Sequence, residues 1–354
     1  MAKLRLGFVG GGFMGQLAHL ANYALLPEVE LVGLAEGRTK LAERVAARYG
    51  VAQVYPDHRA LLADAQVEAV VAILPFALHQ AVVPELLAAG KHVLTEKPIC
   101  IQPAHGRELA DLAAQGGLVY YVGYQKRSDP GTQYVKALAH QWRQSGELGK
   151  LRYLRVCMPP GPWALAIESP LGTDEPAPNY GGQRAEGPPP GMDEAAGRLY
   201  ISFVNYYIHQ VNLMRHLLGE DYQVRYADPA GLTFTAESAS GITCLLEMAP
   251  YHTRDHWTET YTLCFDQGFI ELDLPAPLAR QQAGRVRIFR GKDRPTSFEQ
   301  PLMPPQWAFG EQAKRFVAAV RGDEPTLSPA AEAVKDLETA EQYLRLLLAA
   351  RGAA

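Results

Sequence analysis

The chain is poor in cysteine. Its 354 residues include four, Cys100, Cys157, Cys244 and Cys264, none in a C-x-x-C pair. That spacing argues against a disulfide framework or a cysteine zinc site and suits free thiols in a reducing, cytoplasmic compartment. No apolar run reaches the ~18 residues of a transmembrane helix, so no membrane association is expected. The first residues already read as a strand and lack the apolar core of a signal peptide. Charge of one sign is lacking too: 34 basic residues against 38 acidic ones leave a net −4. Without a basic stripe, nucleic acid is not an expected partner. There is no internal repeat. His252 and His256 come nearest to a metal motif, but they fall at a loop or strand end, and no metal site is expected.

What is present describes an ordinary globular protein, 47% apolar and 20% charged, with enough chain for two domains. The sharpest stretch is Leu4-Arg5-Leu6-Gly7-Phe8-Val9-Gly10-Gly11-Gly12-Phe13-Met14-Gly15. An apolar strand runs into a glycine cluster, and a helix follows from Gln16. Gly10, Gly12 and Gly15 fit G-x-G-x-x-G: a tight turn, a close approach of backbone to pyrophosphate, and close helix–strand packing. The helix N-terminus offers N–H groups and a positive dipole end to phosphate. A second strand, Val29–Ala35, ends at Glu36, 21 positions after Gly15, where a carboxylate would bond the ribose hydroxyls. Glu36 favours NAD and makes NADP the less expected cofactor. Arg38 argues the other way, because it could pair with a 2′-phosphate.

Strand and helix then alternate. Helices are expected over 38–50, after Asp57 as a cap, from 77 to 89 and over 104–115. Strands are expected at 54–55, 68–74, 91–95 and 118–122. This pattern predicts a doubly wound parallel sheet, an α/β Rossmann domain over 1–125. Beyond it come a helix over 132–145 and alternating runs at 150–157, 222–228, 231–236, 240–249, 258–265, 268–274 and 285–290. These predict an α+β domain over 126–305 with a large, open, mostly antiparallel sheet. Residues 158–198 are rich in Pro and Gly and are expected to form a lid or binding loop, or else to be disordered; as a loop they would be part of the substrate site, with Trp163 a candidate sugar-stacking or nicotinamide-side residue. Residues 306–354 read as helices packing back on the Rossmann domain.

Chemistry is expected beyond the carboxyl ends of the parallel strands. Leu74-Pro75, Glu96-Lys97-Pro98 and Gly123-Tyr124-Gln125 all fall there. Lys97, between a buried strand and a proline, could stabilise a developing alkoxide. A helix from Tyr200 to Leu218 carries Ser202, Asn205, His209, Asn212 and His216 in one polar line beside an apolar stripe. A histidine on such an edge is a candidate base, or else a hydrogen-bonded core residue.

In their order, Gly10–Gly15, Leu74-Pro75 with His79, Glu96-Lys97-Pro98, Val122-Gly123-Tyr124-Gln125-Lys126-Arg127 and the helix with His209 resemble the Gfo/Idh/MocA oxidoreductases. The resemblance implies a nicotinamide cofactor and a sugar, glycoside or cyclitol substrate. It also implies a homodimer or homotetramer formed through the sheet of the second domain. It places Gly10, Gly12, Phe13, Met14, Gly15, Glu36, Arg38, Leu74, Pro75, His79, Glu96, Lys97 and Gln125 at the cofactor. Lys97, Tyr124, Arg127, Asn205 and His209 are placed at the substrate, and Lys97 and His209 bind the reacting hydroxyl and move its proton; Trp163 is a candidate there on its own, because the 158–198 segment lacks a clear family pattern. The family helix usually carries acids where this chain has Asn205 and Asn212. An amide orients a partner but cannot stabilise imidazolium by charge.

The expected function is therefore NAD-dependent oxidation or reduction of a ring hydroxyl, with Lys97, His209 and Asn205 as the catalytic group. An NAD-cycling glycoside-cleaving enzyme on the same fold is one alternative. A non-catalytic sugar- or cofactor-sensing regulator is another.

Overall fold

A computed structural model describes residues 2–63, 66–164, 167–178, 185–249, 251–292 and 295–352. The chain divides into two units: 1–124, 168–193 and 309–337 form the first, and 125–167, 194–308 and 338–354 the second.

The first unit is a six-stranded sheet in the order β3-β2-β1-β4-β5-β6. Its strands are β1 (Leu4–Val9), β2 (Val29–Ala35), β3 (Val54–Tyr55), β4 (Ala69–Ala72), β5 (His92–Glu96) and β6 (Tyr120–Gly123). Every pairing is parallel. The central strands are apolar on both faces, as a sheet covered by helices on both sides requires; all four residues of β4 are fully buried. Helices connect them: α1 (Gly15–Leu20, π-helical, continued by Ala21–Tyr23), α2 (Thr39–Tyr49), α3 (His58–Leu62), α4 (His79–Ala88) and α5 (Pro103–Gln115). Asp57 caps α3 as expected, accepting the Ala60 amide at 2.9 Å. A helix late in the chain, Ala308–Arg321, supplies Ala313, Phe316 and Val317 to the same core as Leu6, Phe8, Leu34 and Tyr121.

The second unit is an eight-stranded sheet in the order β14-β13-β12-β11-β7-β10-β9-β8. It contains β7 (Leu151–Cys157), β8 (Tyr222–Ala227), β9 (Thr233–Ser238), β10 (Thr243–Glu247), β11 (Thr260–Phe265), β12 (Gly268–Asp273), β13 (Arg285–Arg290) and β14 (Ser297–Glu299). Only the β7–β10 pair is parallel among these neighbours. Burial alternates along β11 and β13, as a sheet covered on one face demands. The other face carries cross-strand ion pairs, Arg155–Glu247, Arg287–Glu271 and Arg225–Glu237 among them. Strand β14, short and exposed, has no sequence pattern that announced it. Helices α6 (Pro130–Ser145) and α7 (Glu194–Leu218) belong to this unit. The late helix is α8, and α9 (Ala330–Ala350) follows it. Helix α7 begins six residues before the expected start because Glu194-Ala195-Ala196 is itself strongly helix-forming.

The sequence reading runs the second domain unbroken over 126–305 and puts 158–198 at the substrate. Contacts instead group 168–193 with the first unit. The physical reason is a set of anchors on the Rossmann helices. The main-chain amide and carbonyl of Leu171 pair with the Gln16 side chain at 2.8 and 3.1 Å. Arg44 donates to the Gly172 carbonyl at 2.8 Å, and both oxygens of Glu175 accept amides of the first turn of α2. Residues 165, 166 and 179–184 of the expected loop lie outside the described residues. No described helix is long and apolar enough to cross a membrane.

Candidate active site

The glycine loop sits where β1 ends between its neighbours. Gly10 donates to the Ala35 carbonyl at 2.9 Å, and Ile73 donates to the Val9 carbonyl at 2.8 Å. Gly10 has φ +95°, and a Cβ there would stand 2.2 Å from the Ile73 carbonyl oxygen. A Cβ on Gly15 would stand 2.4 Å from the Gly10 oxygen. Both positions therefore require glycine. Beside the loop is a cavity of about 180 Å³ lined by Gly10, Glu36, Gly37, His58, Leu74 and Pro178, among others. It lies at the reversal of strand order between β1 and β4, where a dinucleotide binds. These residues fit the adenosine end of a nicotinamide dinucleotide: glycine cradle, carboxylate at the end of β2, apolar floor.

Glu36 is more heavily engaged than its sequence position implies. Its carboxylate accepts the Gly11 amide at 3.0 Å and the Arg38 amide at 3.1 Å. The Arg38 guanidinium grips it at 2.8 Å through two nitrogens. Burial alone would raise its pKa; the Arg38 charge and the two amides outweigh that and hold the carboxyl below its usual range. Glu36 and Arg38 thus form one bidentate pair rather than opposed selectors. Phe13 is exposed, and Gly12 and Met14 are half-buried at the mouth of the loop.

Lys97 follows β5 directly, half-buried, with its peptide to Pro98 cis. Its backbone amide donates to Glu96 Oε2 at 3.2 Å. The other oxygen of Glu96, a residue expected at the cofactor, meets His19 Nε2 of α1 at 2.8 Å. His19, buried on the helix that leaves the glycine loop, was missed by the sequence reading. His79, also expected at the cofactor, has no exposed surface. Its Nδ1 lies 3.1 Å from the carbonyls of both Pro98 and Ile99 and braces the Lys97 loop from below. Burial drives its pKa down to about 4, against the raising effect of those carbonyls.

In the second unit the polar line on α7 slopes inward. Ser202 and Asn205 are exposed, His209 is half-buried, and Asn212 and His216 are buried. Asn205 and His209 lie one turn apart on the same face. Asn212 accepts from Arg127 Nε at 2.6 Å. That accounts for Asn212, and Arg127, expected at the substrate, is fully buried. Tyr124 and Gln125 are buried too, and Trp163 is exposed after β7. His216 is held by Lys136 at 3.2 Å.

Next to Arg127, a buried cluster escaped the sequence reading altogether. Glu259 accepts Lys126 Nζ at 2.5 and 2.6 Å, Gln210 at 2.7 Å, Tyr261 at 2.8 Å and Trp257 at 3.2 Å. Burial lowers the Lys126 pKa, and Glu259 only partly offsets it. A signal existed: Glu259 lies two positions before Tyr261 and so shares its inward face. Among the described residues, no group of three or more His, Cys, Asp or Glu is placed to hold a metal.

Residues 4–124 match the model of an oxidoreductase family with an NAD-binding Rossmann fold. The chain is 29% identical over 175 residues to D-glucoside 3-dehydrogenase of Escherichia coli K12, which covers 48% of each chain. It is 33% identical over 156 residues to UDP-N-acetylglucosamine 3-dehydrogenase of Acidithiobacillus ferrooxidans, covering 44% of this chain and 45% of that protein. The chain thus spans about half the length of these relatives. Among solved structures, a 3-ketoreductase from Actinomadura kijaniata in complex with NADP and TDP-benzene superposes with a TM-score of 0.70 over 96% of both chains at 18% identity, a likeness of fold. Over residues 4–124, the chain is similar to the Gfo/Idh/MocA oxidoreductases.

Proposed function

We propose that the protein is an NAD-dependent oxidoreductase acting on a ring hydroxyl of a sugar, glycoside or cyclitol. The observation that carries this reading is the fixed setting of Lys97. Glu96 before it is tied to the glycine-loop helix through His19, and the loop after it rests on His79. A lysine held at the carboxyl edge of the sheet, beside a dinucleotide cradle, suits binding of an alcohol or carbonyl oxygen. The sugar 3-dehydrogenase names of the two relatives support a sugar hydroxyl.

In this reading the nicotinamide cofactor supplies hydride acceptance and donation. Lys97 holds the substrate oxygen and stabilises charge as its proton leaves. His209 takes that proton as general base, and Asn205, one turn away, orients the imidazole or a neighbouring hydroxyl. Tyr124 and Trp163 are the further candidates for substrate contact. Glu36 favours NAD over NADP. The free thiols of Cys100, Cys157, Cys244 and Cys264 fit a cytoplasmic setting, and the open face of the second sheet fits self-association.

The test is nucleotide titration of the purified protein, then a panel of sugars, glycosides and cyclitols read by reduced-nicotinamide absorbance and by product mass. Reduced nucleotide with a ketone product supports net dehydrogenation. Aglycone release without net reduced nucleotide supports the redox-neutral cleavage alternative. Failure to bind either nucleotide refutes the reading.

A further inference from the structure

Residues 168–178 lie against the nucleotide end of the first unit, and their anchors are specific. Leu171 is joined to Gln16 by two main-chain bonds to one side-chain amide. The same Gln16 also donates to the Gly11 carbonyl of the glycine loop at 2.8 Å. Four residues on, the Glu175 carboxylate takes the amides of Lys40 and Leu41 at 3.1 Å each, satisfying donors that a helix start leaves open. Pro178 then abuts Gly37, where a glycine Cβ would meet it at 2.9 Å, and walls the cavity beside Glu36. The second anchor is Glu186. Its buried carboxylate accepts the amides of Ile101 and Gln102 at 2.7 and 2.9 Å and lies 2.7 Å from His105 Nδ1. Its own amide donates to the Ala77 carbonyl at 2.7 Å.

These anchors stand on opposite sides of one feature. Helix α2 follows β2, and the Ile101–Gln102 backbone follows β5. The sheet order β2-β1-β4-β5 puts the switch point of the fold, the β1/β4 crevice, between them. The carboxylates of Glu175 and Glu186 are thus pinned to either bank of the dinucleotide crevice, eleven positions apart in the chain.

We propose that residues 168–178 and 185–188 form a strap that belongs to the cofactor site: it walls the adenosine pocket with Pro178 and retains the nucleotide between turnovers. This rests on the reading of the crevice as a nicotinamide dinucleotide site. Its consequence is kinetic. Nucleotide exchange is coupled to release of the strap, so removing an anchor speeds dissociation more than it changes folding. Because hydrogen bonds to charged groups are worth more than neutral ones, loss of the charge at either anchor is expected to accelerate release by about tenfold or more.

The test is NADH dissociation, followed by fluorescence after mixing the NADH-loaded full-length protein with excess NAD, for wild type, Glu186→Gln and Glu175→Gln. Glu175 caps a surface helix, so its variant keeps the experiment informative even where the buried Glu186 substitution compromises folding. Thermal unfolding monitors both. Slow release from wild type, with at least tenfold faster release from folded variants, supports the strap. Equal release rates from all three overturn the strap and leave the dinucleotide site intact. A folded wild type that binds no NADH overturns both.

Discussion

His19 Nε2 lies 2.8 Å from Glu96 Oε1, so the helix leaving the glycine loop is tied directly to the residue preceding Lys97. The glycine loop's helix and the Lys97 loop are therefore joined by one contact. Glu96→Ala should misplace Lys97 while leaving the cradle's glycines untouched. Displacement of a reacting group by about 1 Å can cost around a hundredfold. We expect turnover to fall by about ten- to a hundredfold with a much smaller change in nucleotide affinity. Steady-state kinetics and calorimetric nucleotide titration on the same preparation separate the two, and an unchanged kcat would show that the tether does not matter.

The Glu36–Arg38 pair sets a second expectation. The guanidinium is occupied by the carboxylate, so it is not free to receive a 2′-phosphate. Glu36→Ala should release it and raise NADP affinity by about tenfold or more, since bidentate guanidinium–phosphate pairing is strong. NAD affinity should fall with loss of the ribose acceptor. Dissociation constants of both nucleotides for wild type and variant check this; tighter NADP binding by the wild type would reverse the assignment.

His79 predicts a pH dependence of stability. Its pKa is near 4 in the folded protein, against about 6.5 in an unfolded chain. Between those values the unfolded state binds the extra proton, so stability falls as pH drops from about 6.5 to about 4. The full effect is about 3 kcal/mol. His79→Asn keeps a donor toward the Pro98 and Ile99 carbonyls without a titrating group. Urea unfolding across this range should show the wild type losing about 3 kcal/mol more than the variant. Parallel pH profiles would remove the buried histidine from the account.

Much of this arrangement was legible in the sequence because it depends on local rules. The apolar strands ending at Gly10, Glu36 and Lys97, the Asp57 cap and the alternation along β11 are fixed by neighbours in the chain. What was hidden depends on partners far apart. His19 looks like one residue of an amphipathic helix until Glu96, 77 positions away, is placed beside it. Glu259 looks like a strand-end acid until Lys126 meets it. Arg127 and His79 show another difficulty: motif residues that suggest ligand contact are also bonded into the scaffold, to Asn212 and to the Pro98 and Ile99 carbonyls. The Pro/Gly-rich segment stands out in composition, but the grouping of 168–193 with the first unit does not. Composition marks a loop and says nothing about whether Glu175 finds α2.

The asparagine line on α7 gives a further prediction. Asn205 is exposed and sits one turn from His209, whereas the buried Asn212 is bonded to Arg127. Asn205→Asp places a negative charge on the face of His209, which favours imidazolium. The pH–rate profile of the variant should therefore shift its basic-group limb to higher pH. A profile superimposable on the wild type would place Asn205 outside the proton path.

The central claim is hydride transfer between the nicotinamide and a sugar carbon at a site organised by Lys97. It is tested most directly by isotope transfer in a single turnover. Excess protein and NAD are mixed with sugars and glycosides deuterated at the ring carbons, quenched, and the recovered nucleotide is weighed by mass spectrometry. The account predicts one deuterium gained by the nucleotide with at least one substrate, whether or not net oxidation follows. In Lys97→Ala this transfer should be slower by about two to four orders of magnitude, with nucleotide binding retained. Label transfer by Lys97→Ala at the wild-type rate would contradict the role of Lys97, and nucleotide-loaded wild type that takes up no label from any member of the panel would contradict the function itself.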